Sequence, residues 1–184
     1  MLTPTRRRAF TLIELLIVVA ILGIIATIII PNLLDAIQKS RQRRTVADMR
    51  NVGTAWMAWL TDQVGAASAG QTATLYDGSD LDPITHANVQ NQLRPNNGFF
   101  YTQKVEEFDG WNNAFMFCRN DNLLAANCLA MCSPGRNGTM GENPDGTSEC
   151  CDNWTIGSFV ATDYDQDMMW ADGYLVRYPG SLQQ

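Results

Sequence analysis

The chain is short of the groups that carry covalent chemistry. It has one histidine, His86, in 184 residues. No triad can be built around it without a matched nucleophile, and no nucleophile motif occurs. His86 is therefore read as a packing or surface residue. No glycine-rich phosphate loop follows a strand-like run, which removes the common nucleotide-binding signatures. Basic residues are outnumbered, giving a net charge of −6. Most of the acids lie after residue 60, so the distal part repels phosphates and nucleic acid is not an expected partner. Cysteine is missing before Cys118. An enzyme is not expected.

Charge is also nearly missing from one long run. Between Phe10 and Ile30 the only charged side chain is Glu14. Leu12 to Ile30 is close to the ~20 residues that a helix rising ~1.5 Å per residue needs to cross a bilayer, so the run reads as one membrane-spanning helix. A carboxylate in hydrocarbon costs a few kcal/mol and needs a partner. Arg6, Arg7 and Arg8 argue for a cytoplasmic N-terminus, although Lys39, Arg41, Arg43 and Arg44 beyond the run balance the count. A cleaved secretory signal is the competing reading. Against it, the run is long for such a signal and lacks a small-x-small cleavage site.

The stretch Arg6-Arg7-Arg8-Ala9-Phe10-Thr11-Leu12-Ile13-Glu14-Leu15-Leu16 resembles the N-terminal signature of type IV prepilins and type II secretion pseudopilins. The resemblance implies that a prepilin peptidase cuts between Ala9 and Phe10 and methylates the new Phe10 amine. The family usually has Gly where Ala9 stands. It also implies a homo-oligomeric helical filament, built with other pilin-like subunits by an inner-membrane assembly platform. In lipid, Glu14 would meet the Phe10 ammonium of a neighbouring copy, an attraction screened far less than in water. Filament assembly would thus rest on Phe10, Glu14, Gly23 and Pro31, because filaments of the family loosen the helix between a Gly and a Pro so placed. The residues themselves point the same way. The β-branched run Ile24 to Ile30 and then Pro31 form the weakest part of the helix, where a bend is expected.

These features divide the chain into a leader (1–9), a transmembrane and assembly helix (10–31), an amphipathic continuation (32–60) and a periplasmic or extracellular head (61–184). Leu34, Ile37, Met49, Val52, Trp56 and Leu60 recur at steps suited to one helix from about Thr11 to Leu60. The basic residues Lys39 to Arg44 are open to two readings, a solvated face or a pairing with acidic patches of neighbours. Residues 61–81 read as a loop. Asp82-Pro83 reads as the start of a short helix ending near Leu93. Runs at 114–119, 155–162 and 173–178 read as an antiparallel sheet laid on Val52, Trp56 and Leu60. The fold class is α+β, and the resemblance implies the type IV pilin fold. A second segment, Asp109-Gly110-Trp111-Asn112-Asn113-Ala114-Phe115, resembles the Asp-Pro-Trp-Gly-Asn-Pro-Tyr segment of the G-type major pseudopilins, departing from it at Gly110, Asn112 and Ala114. Trp111 is expected to bury its ring between sheet and helix, with Trp56 as a second core aromatic.

Five cysteines, Cys118, Cys128, Cys132, Cys150 and Cys151, suit disulfides in an exported head. Any four allow three pairings. Zinc is the alternative, on the loose spacing of Cys128, Cys132, Cys150 and Cys151. Four of the five fall in an insertion, 120–153, expected to be a surface excursion held by disulfides. Asp163, Asp165 and Asp167, with Asp172 nearby, alternate in a turn expected between the last two strands. Their hard oxygens suit calcium, which the G-type pseudopilins bind in the equivalent loop; a solvated acidic turn is the other reading. Two further functions remain open: a minor tip pilin or adhesin, and a membrane-anchored periplasmic metal-binding or enzymatic module.

Overall fold

The computed structural model describes residues 10–69, 81–95, 99–120, 129–140 and 156–180. The first element is the helix α1, Leu12–Ser68, with Pro31 inside it. Where a loop was expected over 61–81, the helix continues through Ser68, because the small residues after Leu60 still permit helix; residues 70–80 lie outside the described residues. The helix is unbroken through the β-branched run. Polar side chains near Pro31 engage backbone carbonyls, Thr27 Oγ1 donating to Gly23 O at 2.9 Å and Asn32 Nδ2 to Ile28 O at 3.3 Å.

Two units divide the chain, Met1–Gln38 and Lys39–Gln184. In the first, every large apolar side chain from Phe10 to Ile37 is exposed. Helix α1 is long and apolar enough to cross a membrane, with a window of mean hydropathy 3.0 and no buried residue in it. A stripe that is apolar all round suits lipid and not water. The amphipathic part was expected from Leu34, yet Leu34 and Ile37 are exposed. Burial starts at Gln42 and Thr45 and continues through Met49, Val52, Trp56 and Leu60.

The second unit holds the α+β head. After α1 come β1 (Leu81–Ile84), α2 (His86–Leu93), β2 (Met116–Asn120), β3 (Leu129–Ser133), β4 (Gly157–Val160), β5 (Met168–Ala171) and β6 (Tyr174–Gly180). The α+β expectation is met, but with differences. Leu81 to Ile84 pair with β2 as a strand, and α2 is capped by Thr85, whose side chain accepts from the Asn88 amide, rather than by Asp82. The sheet has six strands in the order β1-β2-β3-β5-β6-β4. It is mixed, not antiparallel throughout, since β4 runs parallel to β6.

The largest correction concerns the cysteine-rich stretch. Its residues Leu129–Ser133 form β3 in the middle of the sheet, and all five are buried. Leu129 and Met131 join Met49, Val52 and Trp56 of α1, Val89 and Leu93 of α2, and Phe117, Met168 and Trp170 in one core cluster. Ala130 and Cys132 join Cys118, Met169 and Ala171 in a second cluster. The alternation along each strand is the two-residue period of a pleated strand. Both sets are apolar, so no hydrophobic-polar alternation advertises the strand.

One close approach seats the sheet on the helix. Gly53 lies under Trp170, and a Cβ there would come within 2.2 Å of the indole. Trp56 meets Phe117 edge-on at 6.0 Å, and its indole N–H donates to Gln92 Oε1 at 3.3 Å.

Candidate functional site

Three places carry the residues singled out in the sequence. The first is the start of α1. Phe10 is exposed. Glu14 Oε2 accepts from both the backbone amide and the hydroxyl of Thr11, each at 2.9 Å, while the Glu14 amide donates back to Thr11 Oγ1 at 3.3 Å. This is the reciprocal capping box of a Thr-x-x-Glu helix start. It satisfies orphan donors of the first turn and sets the carboxylate at the positive end of the helix dipole. The acid therefore has partners inside its own subunit as well, and the Thr-x-x-Glu spacing that announces them is legible in the sequence. Hydrogen bonds do not remove its charge, so the apolar, exposed stripe still leaves an anion to be matched. Gly23 and Pro31 lie within the same helix, with open space around Gly23.

The second place is the Asp109 turn. Its Oδ1 accepts from the amides of Trp111 and Asn113, each at 2.8 Å, and its Oδ2 accepts from Ser133 Oγ at 2.8 Å. Asp109 is only 3% exposed, so all three donors are needed to offset desolvation of a carboxylate. Asn113 Nδ2 donates to the Gly135 carbonyl at 2.6 Å, tying the turn to the end of β3. Asn112 has φ 70°. Asparagine tolerates this left-handed conformation, which explains how it stands where the resembled segment has glycine. Gly110 stands where that segment has proline. Its amide donates to Thr45 Oγ1 at 2.9 Å, a bond that proline cannot make. A Cβ on Gly110 would meet the Arg41 carbonyl at 2.3 Å. The turn is thus a clasp that closes the sheet onto α1. Trp111 is half-buried against the main core cluster.

The third place is the acidic turn. It lies between β4 and β5, not between the last two strands. Asp165 is paired with Arg136, while Asp172 sits in the β5–β6 turn and accepts from the Leu129 amide at 2.9 Å. The Asp163, Asp165, Asp167 and Asp172 carboxylates are not gathered on one point, and among the described residues no three ligating side chains could hold a metal. His86 contacts the Val105 carbonyl at 3.0 Å and tilts against Phe117. Cys118 and Cys132 are both fully buried. Cys128, Cys150 and Cys151 lie outside the described residues, as do Ala9 and the rest of the leader.

Residues 4–30 match the family model described as the prokaryotic N-terminal methylation motif. The type II secretion system core protein G of Klebsiella pneumoniae is 26% identical over 158 residues, covering 83% of this chain and 97% of that protein. Its namesake from Vibrio cholerae is 25% identical over 156 residues, covering 84% and 96%. The type IV major pilin protein PilA of Myxococcus xanthus is 41% identical over 58 residues, covering 32% of this chain and 26% of the pilin. No solved structure gives a match of comparable significance. The pilin and pseudopilin resemblance read from residues 6–16 is thus the one that these comparisons return.

Proposed function

We propose that this chain, similar at its N-terminus to type IV pilins and along most of its length to type II secretion pseudopilins, is a structural subunit of a pilus-like filament. Its work is assembly through the N-terminal helix. One observation carries the reading: a single acid, Glu14, stands at the head of a helix whose large apolar side chains are all exposed from Phe10 to Ile37. Lipid covers such a surface before assembly, and the same surface on other copies covers it afterwards.

Removal of the leader between Ala9 and Phe10 frees an amine four residues before Glu14. A neighbour's Phe10 ammonium, methylated by the prepilin peptidase, then matches the Glu14 charge in a low-dielectric setting. That pairing sets the stagger between subunits. Before assembly the subunit sits in the cytoplasmic membrane with its head outside, and it passes from there to the assembly platform. A pseudopilus is favoured over a pilus because the likeness to core protein G covers the head as well as the helix, whereas the likeness to PilA covers 32% of the chain.

Replacing Glu14 with Ala tests the reading. Filaments should be lost while the protein remains in the membrane, and mass spectrometry of assembled wild-type protein should find a methylated Phe10 as its first residue. Normal filaments from Glu14→Ala, or assembled protein that still begins at Met1, would refute it.

A further inference from the structure

Residues 161–167 join β4 to β5 and carry three of the four carboxylates for which calcium is one reading and a solvated acidic turn the other. A calcium ion needs six to eight oxygens converging at about 2.3–2.6 Å. Several of this loop's oxygens already have protein donors. The Tyr164 carbonyl accepts from the Arg136 amide at 2.8 Å, the Asp165 carbonyl from Asn137 Nδ2 at 3.0 Å, and the Asp167 carbonyl from Arg177 Nε at 3.1 Å. Asp163 accepts from Gln166 Nε2 at 2.8 Å and from the Asp165 amide at 3.3 Å. The carbonyl end of Gln166 accepts in turn from Arg177 Nη2. The Asp165 carboxylate is held fork to fork, by Arg136 Nε at 2.8 Å and Nη2 at 2.5 Å.

We propose that Arg136, seconded by Arg177, is the built-in cation of this loop, so that the head holds its acidic turn without a divalent ion. Arg136 arrives on the turn after β3, and Arg177 from β6, so between them the two cations tie the loop to two strands of the sheet. A planar guanidinium does this better than an ammonium, since its donors match both carboxylate oxygens at once. Each guanidinium also lies 5.9 Å from an aromatic ring, Arg136 over Tyr164 and Arg177 over Phe159, which fixes its plane. The Arg136 guanidinium holds the Asp165 carboxyl below its ordinary range, as an internal counter-ion should. The inference stands whether or not the chain polymerises.

Thermal unfolding of the full-length protein in detergent micelles, followed by tryptophan fluorescence, tests it. Wild type should melt at the same temperature in chelator and in millimolar calcium. Arg136→Ala should melt about 2–4 °C lower in both, the shift expected for a bidentate pair in a chain of this size. Arg136→Lys should fall between, and Arg43→Ala, which removes an exposed helix cation, should melt like wild type. High salt should narrow the gap between wild type and Arg136→Ala, because the pair is partly exposed and is screened. A wild-type melting point that drops in chelator and returns with calcium would overturn the proposal, as would an Arg136→Ala variant that melts like Arg43→Ala. Should Arg136→Ala fail to fold, the chelator comparison on wild type and the Arg136→Lys melt decide it.

Discussion

The Gly110 amide donates to the Thr45 hydroxyl at 2.9 Å, across 65 positions of sequence. Thr45 Oγ1 donates in turn to the Arg41 carbonyl at 3.0 Å, and that carbonyl oxygen is the atom a Gly110 Cβ would strike. A proline at 110 loses the donor, and any side chain there loses the space.

Gly110→Ala and Gly110→Pro should therefore both destabilise the head, by about 2–4 kcal/mol in chemical denaturation. Thr45→Val should cost about 1–3 kcal/mol by leaving the Gly110 amide unpaired, and Thr45→Ser, which keeps the hydroxyl, clearly less. A Thr45→Val variant as stable as wild type, with the loss falling on Thr45→Ser, would show that the methyl, not the hydrogen bond, holds the clasp.

Gly53→Ala opposes two effects. Alanine improves a helix interior by about 1 kcal/mol, but its methyl would lie 2.2 Å from the Trp170 indole, a residue 2% exposed. The collision should prevail, for a net loss of about 1–3 kcal/mol. Combining it with Trp170→Phe should recover part of that loss, so the two changes should be non-additive in a double-mutant cycle.

Asp48 should set a pH dependence. Burial first, and then the Glu106 charge, raise its carboxyl above the ordinary value, while Arg44 and Lys104 oppose them. Arg44 Nε lies 3.4 Å from Oδ2, an ion pair without the alignment of a hydrogen bond. A raised value means that the folded state binds this proton more tightly. The Asp48 contribution is fully present below the unfolded value of about 3.9 and is lost as pH rises through the folded one. Asp48→Asn should thus be more stable than wild type at neutral pH, with the gain shrinking toward acid pH in parallel urea titrations. A gain that does not change with pH would point to packing instead.

Thr11 should act through Glu14. Thr11→Val removes the hydroxyl of the capping box but leaves the helix apolar and the carboxylate in place. Membrane insertion should be unchanged, and filament yield should fall without reaching the loss of Glu14→Ala. Thr11→Ser should restore it. Yields for Thr11→Val and Thr11→Ser that match would deny the hydroxyl any part in holding the acid.

The sequence alone determined the elements whose physics is local. An uncharged run of membrane length, one acid at its head and the basic residues before it define the first helix, because solvent, not neighbouring chain, decides what such a run can do. The stripe Met49, Val52, Trp56 and Leu60 was equally legible, its period being that of the helix itself. Tertiary structure decided the rest. Strand β3 hid inside a cysteine-rich stretch because it is buried on both faces and so lacks a polar alternation. Gly53 and Gly110 looked like ordinary glycines until Trp170 and the Arg41 carbonyl were set against them. Of the carboxylates spaced for calcium, Asp165 pairs with Arg136 and Asp172 accepts from the Leu129 amide, partners remote in sequence that only the fold brings near. What a residue touches across the chain depends on register and packing, and those exist only once the sheet has closed on the helix.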